Sequence, residues 1–131
     1  MLIKENEIFN NLFVLEMANN HWGSLDRGLE IINSYGRIIR ENGVRAAIKL
    51  QFRDSKTFIH NDYKNHNDIR YINKTNQTFL SNKELKKLVI QIKKVGALTM
   101  STPFDEKSVE KIGDFNLDIV KIASSDITDW P

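Results

Sequence analysis

Residues 97–126 read ALTMSTPFDEKSVEKIGDFNLDIVKIASSD, and this stretch decides the fold. A short apolar run, ALTMS (97–101), gives way to an amphipathic segment, FDEKSVEKIGDF (104–115), in which Val109 and Ile112 are expected to face inward. A second apolar run, IVKIA (119–123), follows at once. Strand, helix and strand in so few residues describe a βαβ unit, whose two strands lie parallel in one sheet. Both runs end in polar groups, Ser101 and Thr102 on the first, Lys121 and Ser124 on the second. A plain core has no need of them.

The same unit recurs upstream. FVLEM (13–17) is a strand, ANNHWG a polar turn, and Ser24 the N-cap of a helix whose apolar stripe runs through Leu25, Leu29, Ile32, Gly36 and Ile39 to a C-terminal Gly43. AAIKLQF (46–52) is the second strand. The next helix opens on a capping box, Ser81 with Glu84, buries Leu85, Leu88, Val89, Ile92 and Val95, and ends at Gly96. Four units result, with Glu16, then Lys49 and Gln51, then Thr102, then Lys121 and Ser124 at equivalent strand ends. In parallel α/β proteins those ends build the active site, most consistently in the (β/α)8 barrel. Such a barrel takes about 250 residues, so the expected fold class is α/β, the first half of a TIM barrel spanning residues 1–131.

Composition allows this and narrows the rest. A 131-residue chain with 40% hydrophobic and 27% charged residues is ordinary globular material. Nineteen basic against 17 acidic residues, net +2, is too even a balance to argue for nucleic acid. With no cysteine there is neither a disulfide framework nor a thiolate nucleophile. MLIKENEIFNNLF lacks the apolar core of a signal segment, and no run is long enough to span a membrane. A cytoplasmic location is the expectation.

Lys49 and Gln51 alternate along one strand, so both point to one side. On an exposed face that lysine would merely snorkel to water; inside a barrel it needs an anion. Lys121 on the analogous fourth strand makes two lysines aimed at one cavity, and Thr102 and Ser124 add hydroxyls, a set that suits phosphate or carboxylate. The interval from Asp54 to Ser81 exceeds the usual connection of about 2–6 residues. It reads either as a substrate-contacting lid or as a solvated insertion anchored by Phe58, Tyr63 and Tyr71. His60 and His66, six residues apart, match no ligand spacing and read as surface histidines. Asp126 reads as the cap of a following helix.

EMANNHWGSLDRGLEII (16–32), IKLQ (48–51), STPFDEKSVE (101–110) and VKIASSDITDWP (120–131) together resemble the N-terminal half of the sialic acid synthase family, the N-acetylneuraminate synthase type. The resemblance implies a barrel that condenses phosphoenolpyruvate with an open-chain N-acetylated amino sugar, such as N-acetylmannosamine, to give a sialic acid and phosphate for surface polysaccharide synthesis. It also implies a divalent metal, Mn or Mg, whose ligands are not in this chain. Lys49, Thr102, Lys121 and Ser124 would bind phosphoenolpyruvate, Glu16 and Gln51 the sugar, and Glu16, Lys49 and Lys121 would be catalytic. Where the family more often has NHNG, this chain has Trp22 in place of the second asparagine. The second barrel half and a C-terminal antifreeze-like domain, which completes the sugar site across a homodimer, are absent from these residues. The 131 residues alone are therefore expected to be inactive, and the missing helix after DITDWP argues that Pro131 is not a natural terminus. Synthesis of a related nonulosonic acid, legionaminic or pseudaminic, and a noncatalytic anion-binding half-barrel that pairs with another chain, are the alternatives.

Overall fold

The computed structural model describes residues 7–128 and residue 130. The start of the N-terminal stretch read for a signal segment, and Pro131, lie outside the described residues. Four parallel strands stand in chain order: β1 (Leu12–Ala18), β2 (Arg45–Phe52), β3 (Leu98–Pro103) and β4 (Ile119–Val120). Between them run α1 (Leu25–Asn42), α2 (Ser55–Phe58), α3 (Arg70–Gln77), α4 (Asn82–Lys94) and α5 (Glu106–Asp114). This is the open, parallel α/β half-barrel that the repeating units predict.

The sheet has two different faces. On one, Ile48, Leu50 and Phe52 of β2 pack with Ile32, Ile39, Leu88 and Ile92 of α1 and α4 to form the main core. On the other, Ala47, Met100 and Ile119 form a smaller cluster with Ile8, Leu12 and Leu98. Arg45 holds the chain before β1 beneath this second face by donating to the carbonyls of Glu7, Ile8 and Asn10. That face is apolar only near the strand starts. Because side chains alternate, the residues further along it on β2 are Lys49 and Gln51, and on β3 Thr102.

The helix boundaries follow their chemistry. Ser24 caps α1 by accepting from Arg27 N, and Gly43 closes it at φ 59°. The Ser81–Glu84 capping box opens α4, and both bonds with the Ser81 hydroxyl and N–H hold the Glu84 carboxyl below its ordinary range. The buried stripe of α1 is Gly28, Ile32, Gly36 and Ile39, with Leu25 and Leu29 at its margin. The two glycines let α4 approach closely, since a Cβ at Gly36 would lie 2.6 Å from Val95 Cβ.

Four expectations need correction. β4 pairs over two residues only rather than 119–123, one further ladder bond running from Lys121 N to Ser101 O before the chain turns into a 3-10 turn at Ser124–Asp126. Asp126 lies inside that turn rather than at a helix start, accepting from the Ser125 hydroxyl. Val109 is 55% exposed, because α5 turns Ser108 and Ile112, one helical turn apart, toward the sheet. The 54–81 interval is no plain loop: α2, a 3-10 turn at Asn61–Tyr63 and α3 fill it, and its buried residues are Ile59, Thr75, Thr78 and Leu80 rather than Tyr63 or Tyr71. At the two sheet edges Phe13, Val14, Val120 and Ile122 remain exposed, apolar surface of the kind that neighbouring strands and helices cover in a closed barrel.

Candidate active site

The register sets the centre of the site. Glu16 on β1 stands opposite Lys49 on β2, and Gln51 opposite Thr102 on β3. Lys49 is 6% exposed, a costly position for an ammonium without partners. Its Nζ meets Glu16 Oε2 at 2.5 Å and donates to Thr102 Oγ1 at 3.5 Å. Glu16 is half-exposed, so the pair opens to water on the β1 side. Just past Glu16 the β1–β2 register slips, which tucks Met17 fully into the protein and brings Asn19 above the sheet, where its amide donates to Gln51 Oε1 at 3.2 Å.

Lys121 and Ser124 are not drawn into this group. Lys121 is exposed with its amine on the Ile122 carbonyl, and Ser124 is exposed in the 3-10 turn. Ser101, which ends the same run as Thr102, points to the helix side and spends its hydroxyl on Leu50 O. His60 and His66 are exposed beside Asp62 and Asp68. Among the described residues no three His, Asp or Glu side chains cluster as a metal site.

Two further residues belong here. His21 is buried, and burial pushes its pKa below the usual value, so the ring is neutral near pH 7. Its Nδ1 accepts from Gly23 N at 3.1 Å, which leaves the ring proton on Nε2. Arg53 follows Gln51 by two residues. Its guanidinium lies over the rings of Phe104 and Phe58, 4.5 and 5.2 Å from their centroids, and burial lowers its pKa. His21, Gln51 and Arg53 line a hollow of about 30 Å³. Gln51 and Arg53, with Trp22, Tyr71 and Lys74, line an adjoining cavity of about 280 Å³. IKLQFRD shows Arg53 continuing the alternation of Lys49 and Gln51, the signal by which it could have been found.

The loops carrying these groups are tied together. Asp105 caps α5 through Ser108 N and also accepts from Asp54 N at 2.8 Å. Asp54 caps α2 and pairs with Lys111 at 3.4 Å. Burial raises the Asp54 carboxyl, but the Lys56 N–H and the Lys111 charge outweigh it and leave the pKa lowered. Arg53 is thus held between two fixed positions, Phe52 in the core and Asp54 in the tie.

An open parallel half-barrel with polar groups at its strand ends defines an α/β protein of the (β/α)8-barrel class. The sequence profile of the NeuB family matches residues 39–131, and the chain belongs to that family. Its structure is similar to the protein described as spore coat polysaccharide biosynthesis protein E from Chromobacterium violaceum, at TM-score 0.87 and 38% identity over 92% of this chain and 36% of that one. It is also similar to the N-acetylneuraminic acid (sialic acid) synthetase of Leptospira borgpetersenii in complex with citrate, at TM-score 0.70 and 25% identity over 91% of this chain and 38% of that one. The uncharacterized protein MJ1065 of Methanocaldococcus jannaschii is 29% identical over 118 residues, 90% of this chain and 32% of that protein. The chain therefore spans about a third of the length of the proteins it matches.

Proposed function

We propose that this chain is the phosphoenolpyruvate-binding half of a synthase that joins phosphoenolpyruvate to an N-acetylated amino sugar, forming a sialic acid and releasing phosphate. The observation that carries the reading is the buried Lys49, held by Glu16 and Thr102 at the C-terminal ends of parallel strands. Family membership and the likeness to a sialic acid synthetase support it.

In this reading Lys49 and Thr102 receive the phosphate or carboxylate of phosphoenolpyruvate. An ammonium placed where negative charge resides favours binding, and one already aimed requires no reorganisation as charge shifts. Lys121 and Ser124, which lie just past β4 and stand apart from this group, are assigned to the same reactant by the family resemblance alone. Gln51 and Asn19, already bonded to one another, present amide groups to the hydroxyls of the sugar, and Glu16 orients them while balancing Lys49. The enol carbon of phosphoenolpyruvate attacks the sugar aldehyde, water adds to the carbon that bears the phosphate, and the C–O bond to phosphate breaks. The divalent metal that the family resemblance implies finds no three-ligand cluster among the described residues, so the chemistry assigned to this chain is that of its own side chains. The remaining barrel strands, a cytoplasmic location and a homodimer belong to the same proposal.

The test is phosphate release from phosphoenolpyruvate by the protein purified from its source, with and without N-acetylated amino sugars, and mass analysis of the product. Release that depends on the sugar, with a nonulosonic acid formed, supports the reading. Binding of phosphoenolpyruvate without release under any sugar supports an anion-binding role instead.

A further inference from the structure

Arg53 is a cation with no paired anion among the described residues. The Nε atom is buried and has no hydrogen-bond partner among the described residues, and none of the four ion pairs among those residues includes it. Leaving a buried donor unmatched costs about 1–3 kcal/mol, more for a charged group. Phe58 and Phe104 soften that cost by offering their π faces, but a ring face is a far weaker acceptor than an oxygen. Lys49 differs, because Glu16 already balances it. No Asp or Glu lines either the small hollow or the larger cavity that Arg53 shares with Gln51, whereas Lys74 adds a second positive charge to the latter. His21, neutral, adds none.

The lining of the larger cavity carries a second cost. Trp22 has φ 53°, a left-handed conformation that charges a bulky residue about 1–2 kcal/mol. Its side chain lines the same cavity. Strain of this kind persists where the surroundings or the function hold it.

We propose that Arg53 anchors a negatively charged group on the acceptor, so that the cavity between Arg53, Lys74, Gln51 and Trp22 takes a carboxylated or phosphorylated amino sugar in preference to a neutral one. This rests on the synthase reading for its choice of ligand. Arg53 stands two residues beyond Gln51 along the chain and four beyond Lys49, so the charged end of the acceptor lies away from the phosphoenolpyruvate side. The planar guanidinium offers paired donors that suit either a carboxylate or a phosphate.

The experiment uses the protein from its source, wild type and with Arg53→Met or Arg53→Lys, and follows Trp22 quenching without phosphoenolpyruvate. The probes are a neutral N-acetylhexosamine, its phosphate monoester and the corresponding N-acetylhexosaminuronate. Wild type is expected to bind at least one anionic probe about tenfold or more tightly than the neutral one. Arg53→Met should bring that probe to the neutral level, Arg53→Lys should keep part of the preference, and the better anionic probe identifies the group. Matched thermal melts of the variants separate lost binding from lost folding. Equal binding of neutral and anionic probes, no binding of any, or an Arg53→Met variant that keeps the preference would overturn the proposal. So would an effect confined to phosphoenolpyruvate affinity. Selective binding without turnover leaves the Arg53 site standing while the synthase reading fails.

Discussion

The Lys49 amine lies 2.5 Å from Glu16 Oε2, across the one β1–β2 position where the two residues are in register before the strand slips. The pairing makes the lysine tolerable on a buried face and holds it beside Thr102. Replacing Lys49 with Met removes the cation that receives phosphoenolpyruvate, and kcat/KM should fall by on the order of 10²–10³. Glu16→Ala should lower kcat/KM as well, through the groups it orients, and in addition lower stability by about 1–2 kcal/mol, less than for a fully enclosed pair because Glu16 is half-exposed. Urea midpoints and steady-state kinetics on both variants check the division.

Gly28 and Gly36 both sit on the α1 face that packs on α4, yet substitution should tell them apart. An added Cβ at Gly28 would come 2.9 Å from Leu88 Cδ2, the end of a side chain that can rotate. At Gly36 it would come 2.6 Å from Val95 Cβ, which moves only with the backbone. Gly36→Ala should cost about 1–3 kcal/mol, whereas Gly28→Ala, helped by about 1 kcal/mol of helix propensity, should lie near zero. Parallel urea titrations read the difference.

His21 makes stability depend on pH. Its folded pKa is below 6.5 because burial disfavours the charged ring. Between that pKa and 6.5 the unfolded chain binds the proton more readily, so stability is full above about pH 6.5 and declines as pH falls, by up to about 1.4 kcal/mol per pH unit. His21→Asn keeps an acceptor for Gly23 N and should flatten this segment of a melting-temperature profile taken from pH 7.5 to 5.

Trp22→Asn should stabilise the fold by about 1 kcal/mol, since asparagine accepts the left-handed backbone that tryptophan resists. The adjoining Gly23, at φ 75°, has no such latitude. A Cβ there would stand 2.4 Å from the Gln77 carbonyl oxygen, and Gly23→Ala should lower the melting temperature markedly. Thermal melts of the two variants are expected to move in opposite directions.

How much of this was legible in the sequence depended on whether the signal was periodic. Helix caps at Ser24, Gly43 and Ser81, and the apolar runs of the first three strands, declare themselves through local chemistry, and the structure keeps them, whereas it keeps only Ile119–Val120 of the fourth run. The alternation of Lys49 with Gln51 placed both on one face correctly. Val109 misled because a short helix with two apolar residues three apart leaves its rotation open, and Ser108, counted as polar, took the buried place by bonding Asp105. The 54–81 interval hid α3 because RYINKTNQ has few apolar residues, its helix resting on Thr75. Arg53 continues the alternation of Lys49 and Gln51, but one residue past the end of β2 that pattern alone does not separate a site residue from a solvated one. Its importance lies in what surrounds it, the nearby Phe58 ring, the Phe104 ring brought in from beyond β3 and, among the described residues, no paired carboxylate.

The most direct test of the site is a crystal structure of the protein from its source with phosphoenolpyruvate bound. Density for its phosphate or carboxylate within hydrogen-bond reach of Lys49 Nζ and Thr102 Oγ1 is the predicted result. Density placed elsewhere, with Lys49 still closed on Glu16 alone, would contradict the assignment of this strand end as the phosphoenolpyruvate site.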